Sequence, residues 1–155
     1  MNVAFHFLFN YLFVDFVVGN AWDYAFIILV FSVAIDMTHV PYLMKTGSGV
    51  IERRFGSASR TRFHEIYGLT LLSALVCICY LVFPHVAVMI AAMCIVLHFA
   101  LDFLAGKSMP FYPYSKTEVF LHIFPYGYRN KILFEIALTL STGVLFWLNT
   151  ANLLL

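Results

Sequence analysis

The stretch Ala87–Leu104 reads AVMIAAMCIVLHFALDFL, in which His98 and Asp102 are the only ionisable side chains apart from the thiol of Cys94. A helix of this length and composition can cross the roughly 30 Å hydrocarbon layer of a bilayer. A spacing of four residues places His98 and Asp102 on one helix face. The stretch therefore predicts a membrane-spanning helix that presents an imidazole and a carboxylate together near one of its ends.

The composition of the whole chain supports the same class of protein. Of its 155 residues, 63% are hydrophobic and 11% are charged, whereas a soluble domain has roughly 25% charged residues. Such a chain cannot cover its surface with polar groups, so it needs lipid around it. We predict one all-α domain over residues 1–155, a polytopic transmembrane helical bundle of four to five spans. The predicted spans are Val3–Val18, which is short and the weakest, then Tyr24–Met44, His64–Phe83, Ala87–Leu104 and Lys131–Leu148.

The basic residues predict the orientation of the bundle. Of the nine Lys and Arg residues, those before residue 64 all lie in the loop Lys45–Phe63, and the rest lie within Gly106–Lys131. Because Lys and Arg are concentrated in cytoplasmic loops, both segments are expected in the cytoplasm and the C-terminal end outside. The net charge of +1 argues against nucleic acid as a partner, and the bilayer itself is the expected partner.

Histidine and acidic residues cluster at the predicted cytoplasmic ends of the spans. Asp36 and His39 are three residues apart, and His98 and Asp102 are four apart, so each pair shares a helix face. Inward-facing pairs of this kind hold metal ions in helical bundles. The predicted ligands of one divalent ion are Asp36, His39, His64, His98 and Asp102, and His6 would join them if the first run spans. Imidazole with carboxylate favours zinc, with manganese or iron as alternatives.

Three residues next to this layer carry the predicted catalytic roles. Glu65 adjoins His64 and is the candidate general base. Arg60 and Arg62 precede His64 by four and two residues, and their guanidinium groups suit an anionic head group. The competing interpretation of both arginines is ordinary cytoplasmic anchoring of the chain.

Four stretches resemble, in order and rough spacing, the motifs of the YdjM-type inner-membrane metal-dependent hydrolases. The most specific part is the His-to-Asp motif together with the Pro-Tyr-Ser element that follows it. The resemblance implies a hydrolase that acts on phospholipids, in the cytoplasmic (inner) membrane of a bacterium or archaeon. The four stretches are Ala34–His39 (AIDMTH), Arg60–Glu65 (RTRFHE), His98–Asp102 (HFALD) and Pro110–Ser115 (PFYPYS).

The residues and the resemblance together lead to one principal hypothesis and two alternatives. The principal hypothesis is metal-dependent hydrolysis of a lipid, or of another membrane-associated ester or phosphoester, at the cytoplasmic leaflet. The first alternative is a non-enzymatic metal-binding scaffold or a subunit of a larger complex. Metal transport is the second, and it is disfavoured because the outer half of the spans offers only Asp15 as a ligand.

Overall fold

A computed structural model describes residues 2–39, 65–105, 108–112, 114–115, 117–121, 123 and 128–153. Within these ranges the regular structure is helical, which confirms the predicted all-α class, and the one β-type pairing is an antiparallel bridge between Ser108 and Val119. The α-helices are α1 (Val3–Val18), α2 (Ala25–Val33), α3 (Ile66–Val82), α4 (Val86–Ala105) and α5 (Tyr128–Leu153).

The second predicted span differs from the helix that the chain forms there. A 3-10 turn at Ala21–Tyr24 leads into α2, α2 ends at Val33, and a second 3-10 turn follows at Asp36–His39. Residues 40–44 of the predicted span lie outside the described ranges. The carbonyl groups in the last turn of an α-helix have no partner further along that helix. The early end of α2 therefore leaves its last carbonyls available to other elements, which matters for the site described below.

Helix α1 lies at the centre of the bundle and contacts α2, α4 and α5, while α3 packs against α4. The largest buried apolar cluster joins α1, α2 and α4 through Tyr11, Val14, Ile28 and Ile90, none of which is exposed. These three helices also carry the buried polar residues of the candidate site. The packing of α1 against α2 and α4 therefore determines which polar side chains meet.

Two hydrogen bonds fix α5 parallel to α1. The amide of Asn2 donates to Thr139 Oγ1 at 2.8 Å, and the amide of Asn149 donates to Asp15 Oδ2 at 2.7 Å. Because both residue numbers increase in the same direction, the two helices run in the same direction. A parallel arrangement of α1 and α5 agrees with the orientation expected for the first and last predicted spans.

Asp15 also closes the turn between α1 and α2. Its Oδ1 accepts a hydrogen bond from the backbone N–H of Ala21 at 3.0 Å. The chain reverses through Gly19, at φ 73°, and Asn20, at φ 51°, the residue types that adopt left-handed backbone conformations most readily. Asp15 thus connects α1, the following turn and α5 at one end of the bundle.

Replacing Asp15 by alanine is expected to destabilise the protein by about 1–3 kcal/mol, because two donors lose their acceptor. Thermal unfolding in detergent, followed by circular dichroism, measures the change. Asp23→Ala, at an exposed position a few residues further along, is the matched control and should leave the melting temperature nearly unchanged. Equal melting temperatures for Asp15→Ala and the control would contradict the assigned role.

Among the described residues, two helices are long and apolar enough to cross a membrane, namely α4 and the Arg129–Ala151 part of α5. The apolar helices α1, α2 and α3 are shorter. Much of α4 is covered by the other helices, whereas no residue in the apolar window of α5 is buried. The apolar surface of α5 that α1 does not cover needs another apolar environment around it.

Candidate metal centre

Three buried side chains from α1 and α4 converge on one point. One ligand atom each from His6, His98 and Asp102 lies within 4.8 Å of the other two. His6 Nε2 is 3.2 Å from Asp102 Oδ1, and His98 Nε2 is 3.6 Å from Asp102 Oδ2. Each oxygen of the Asp102 carboxylate therefore faces a different imidazole.

The two imidazole rings lie side by side. The ring centroids of His6 and His98 are 4.0 Å apart and the ring planes differ by 19°. Both histidines have no exposed surface, and Asp102 is 6% exposed. Burying two imidazoles and a carboxylate is costly unless they pair or coordinate an ion.

The 3-10 turn after α2 contributes a fourth candidate ligand, Asp36. Its Oδ1 lies 3.6 Å from His98 Nε2, and its side chain is 16% exposed. Asp36 follows the end of α2, in the 3-10 turn. It belongs to the less buried edge of the group, where an ion or a substrate could reach the site.

The spacing of these atoms is compatible with shared coordination of one ion. Two ligands of a tetrahedral zinc ion, each about 2.0–2.1 Å from the metal, lie roughly 3.3 Å apart. The measured separations of 3.2 Å and 3.6 Å bracket that value. A distance of 3.6 Å is too long for a side-chain hydrogen bond. The arrangement can therefore hold a metal ion after only small shifts of the side chains.

The orientation of His98 is set by the end of α2. His98 Nδ1 lies 2.9 Å from the carbonyl oxygen of Ser32, and since a carbonyl only accepts, Nδ1 carries the proton and donates. The neutral ring then presents the lone pair of Nε2 to Asp36 and Asp102. Metal-binding histidines commonly have their second nitrogen held in this way. Ser32 lies in the last turn of α2, so the early end of that helix provides this acceptor.

Of the five predicted ligands, the structure brings together Asp36, His98 and Asp102. The side chain of His39 and the whole of His64 lie outside the described residues, as do Arg60 and Arg62. His6 was left conditional on the first run forming a span, and the structure places it in the cluster. A signal was present in the sequence, because His6 and Asn10 are one turn apart on one face of a run that is apolar apart from Tyr11 and Asp15.

Glu65, the predicted general base, holds the segment that follows α4. Its Oε2 accepts a hydrogen bond from the Ser108 hydroxyl at 2.7 Å, and its Oε1 accepts one from the backbone N–H of Met109 at 2.9 Å. Glu65 is 4% exposed and lies at the N-terminal cap of α3. The carboxylate therefore connects the start of α3 to the segment beyond the end of α4.

Comparison with protein-family models, with curated proteins and with solved structures gives no match for this chain. The resemblance to YdjM-type hydrolases stays a prediction from the sequence motifs. The assignment of function therefore depends on the geometry of His6, His98 and Asp102.

Proposed function

We propose that the protein is a membrane-embedded, metal-dependent hydrolase that acts on a lipid ester or phosphoester at the cytoplasmic leaflet. The observation that carries the proposal is the buried group of His6, His98 and Asp102, whose ligand atoms lie within 4.8 Å of one another. Two histidines and one carboxylate form the ligand set of several catalytic zinc sites. We therefore favour zinc over manganese or iron.

The proposed membrane environment is supported by the exposed apolar surface of the helices. Leu71, Leu75 and Ile78 of α3 are each about half exposed, and Leu140 and Trp147 of α5 are about two-thirds exposed. Soluble monomers rarely display continuous apolar surfaces on whole helices. In the proposal all five helices lie in the cytoplasmic (inner) membrane of a bacterium or archaeon. Helices α1 and α3 cross it with the help of local thinning, and α2 crosses it together with the 3-10 turns on either side of it.

The chemistry follows from the donor groups and their surroundings. A bound divalent ion would supply Lewis acidity and lower the pKa of a coordinated water towards 7. Ser32 holds His98 in the tautomer that binds through Nε2, and Asp102 is hydrogen-bonded to His6 and faces His98 Nε2. In the proposal Glu65 accepts the proton from the attacking water, while Arg60 and Arg62 bind an anionic head group.

A second candidate function, a non-enzymatic metal-binding scaffold, is favoured by the contacts of Glu65. Both carboxylate oxygens already accept hydrogen bonds, from Ser108 and Met109. A base needs a lone pair directed at the proton that it removes. If Glu65 only holds the segment after α4, the metal centre stabilises the bundle and turns over no substrate.

The test uses the wild-type protein, purified from carbonate-washed membranes in detergent. Elemental analysis should find about one zinc ion per chain. Incubation with a phospholipid extract should release fatty acid or head group, and chelation followed by zinc should abolish and then restore that release. Zinc at full occupancy with no release from any lipid class would favour the scaffold, and protein that binds no metal would overturn both functions.

A further inference from the structure

A second layer of buried polar residues lies one helical turn from the metal ligands. Asn10 follows His6 by four residues, while Ser32 precedes Asp36 by four and Cys94 precedes His98 by four. Within α1 and α4, a separation of four places Asn10 and Cys94 one turn from their ligands on the same helix face, whereas Ser32 lies in the last turn of α2 and Asp36 in the 3-10 turn that follows it. Asn10, Ser32 and Cys94 have no exposed surface, so α1, α2 and α4 each contribute one residue to the second layer.

The side chain of Asn10 connects the three helices. Its Nδ2 donates to Ser32 Oγ on α2 at 2.7 Å and lies 3.4 Å from the carbonyl oxygen of Cys94 on α4. Ser32 in turn accepts the hydrogen bond from His98 Nδ1 through its own carbonyl. One amide thereby fixes α1 to the residue that orients His98 and to the helix that carries Asp102.

The buried amide of Asn10 lowers the free energy of unfolding in this position. Its Oδ1 is buried and has no hydrogen-bond partner among the described residues, and such a group costs about 1–3 kcal/mol. An apolar side chain of the same size would avoid that cost, so packing alone does not account for an amide here. A buried asparagine between apolar helices is a known means of fixing their register.

Register matters because the surrounding contacts are apolar and non-directional. Sliding α1 by one residue along its axis would move His6 by about 1.5 Å and rotate it by roughly 100°. Metal ligands tolerate deviations of only about 0.2 Å. The apolar contacts of Tyr11 and Val14 do not discriminate between alignments as sharply as two hydrogen bonds with defined directions.

We infer that Asn10 is a positioning residue of the metal centre, which sets the register of α1 against α2 and α4 so that His6 lies opposite Asp102. Its role in metal binding rests on the proposed function, whereas its role in register does not. Ser32 is its partner in this role. The pair acts on the ligands without touching the ion.

The first experiment titrates Co²⁺ into metal-free wild type, Asn10→Leu and Ser32→Ala, and records the visible spectrum that reports coordination geometry. Asn10→Leu keeps the side-chain size and removes the amide, so the affinity for Co²⁺ should stay nearly unchanged if Asn10 only fills space. We expect at least a tenfold loss of affinity and a changed spectrum for Asn10→Leu, and a loss in the same direction for Ser32→Ala. Val14→Ala, a buried apolar change one turn further along α1, should lower the melting temperature but keep the wild-type spectrum.

The second experiment needs no metal. In chelated protein, the ¹⁵N resonances of His6, assigned with a His6→Asn variant, report the contact of Nε2 with Asp102. They should shift in Asn10→Leu and stay unchanged in Val14→Ala. If the wild type binds no cobalt but the His6 resonances still shift in Asn10→Leu, the metal-dependent function is overturned and the register role stands. Unchanged His6 resonances in a folded Asn10→Leu would overturn the inference, whatever its affinity for cobalt.

Discussion

Replacing His98 by alanine is expected to lower zinc affinity by more than about 100-fold, the largest effect on metal binding that we predict for a single side chain. Removing an outer partner of a metal ligand alone typically costs 10–100-fold, and here a ligand itself is lost. His98 is also the residue that faces both carboxylates, since its Nε2 lies 3.6 Å from Asp36 and from Asp102. Competition with a chromophoric chelator, followed by elemental analysis, measures the change.

The matched control is His85→Ala, an exposed histidine in the turn before α4. It removes an imidazole from the same part of the sequence and should keep the wild-type stoichiometry and affinity. Asp102→Asn should also lose affinity, because its amide nitrogen cannot bind the ion as the carboxylate oxygen does. Wild-type zinc occupancy in both His98→Ala and Asp102→Asn would show that the ion is bound elsewhere.

Replacing Glu65 by glutamine is expected to retain zinc and to lower lipid hydrolysis by about 10²–10⁴-fold, the usual contribution of a general base. Glutamine keeps the size of the side chain and removes the negative charge. Its carbonyl oxygen can still accept one of the two hydrogen bonds that Ser108 and Met109 donate. Single-turnover release of head group or fatty acid, at matched zinc content, measures the loss.

Ser108→Ala separates the two roles of Glu65. This change removes one hydrogen bond from the carboxylate and leaves the carboxylate itself in place. If Glu65 is the base, Ser108→Ala should retain most of the activity that Glu65→Gln loses. Comparable losses in the two variants would instead mean that Glu65 acts by holding the segment after α4, and the catalytic role would be wrong.

The helices were predictable where the signal is local. The predicted span Val3–Val18 has the bounds of α1, and Ala87–Leu104 differs from α4 by one residue at each end. Both stretches are apolar apart from a few polar residues, and Gly19 and Pro84 mark their limits. The end of α2 at Val33 was missed, because the apolar run continues through Ala34 and Ile35 and no glycine or proline interrupts it there.

Part of the metal-ligand set was also predictable from the sequence. Same-face spacing brought His98 and Asp102 into the predicted ligand set, and both belong to the cluster in the structure. The inclusion of His6 in the predicted ligand set depended on whether the short run Val3–Val18 forms a helix of the bundle. The spacing of residues within that run does not determine this. The contacts of Glu65 with Ser108 and Met109 had no sequence signal, because neither partner is near it in the chain.

By itself, the sequence determined the all-helical class. It also determined at which end of the helices the imidazoles and carboxylates gather, because composition and helical period are local properties that extend over a few turns. Only the tertiary structure decided that Asp102 faces both His6 and His98, that Ser32 orients His98, and that Asn10 joins three helices. These contacts link residues 96, 66 and 22 positions apart. The physical reason is that such pairings depend on how apolar helix faces pack and in which register, and hydrophobic burial is non-directional.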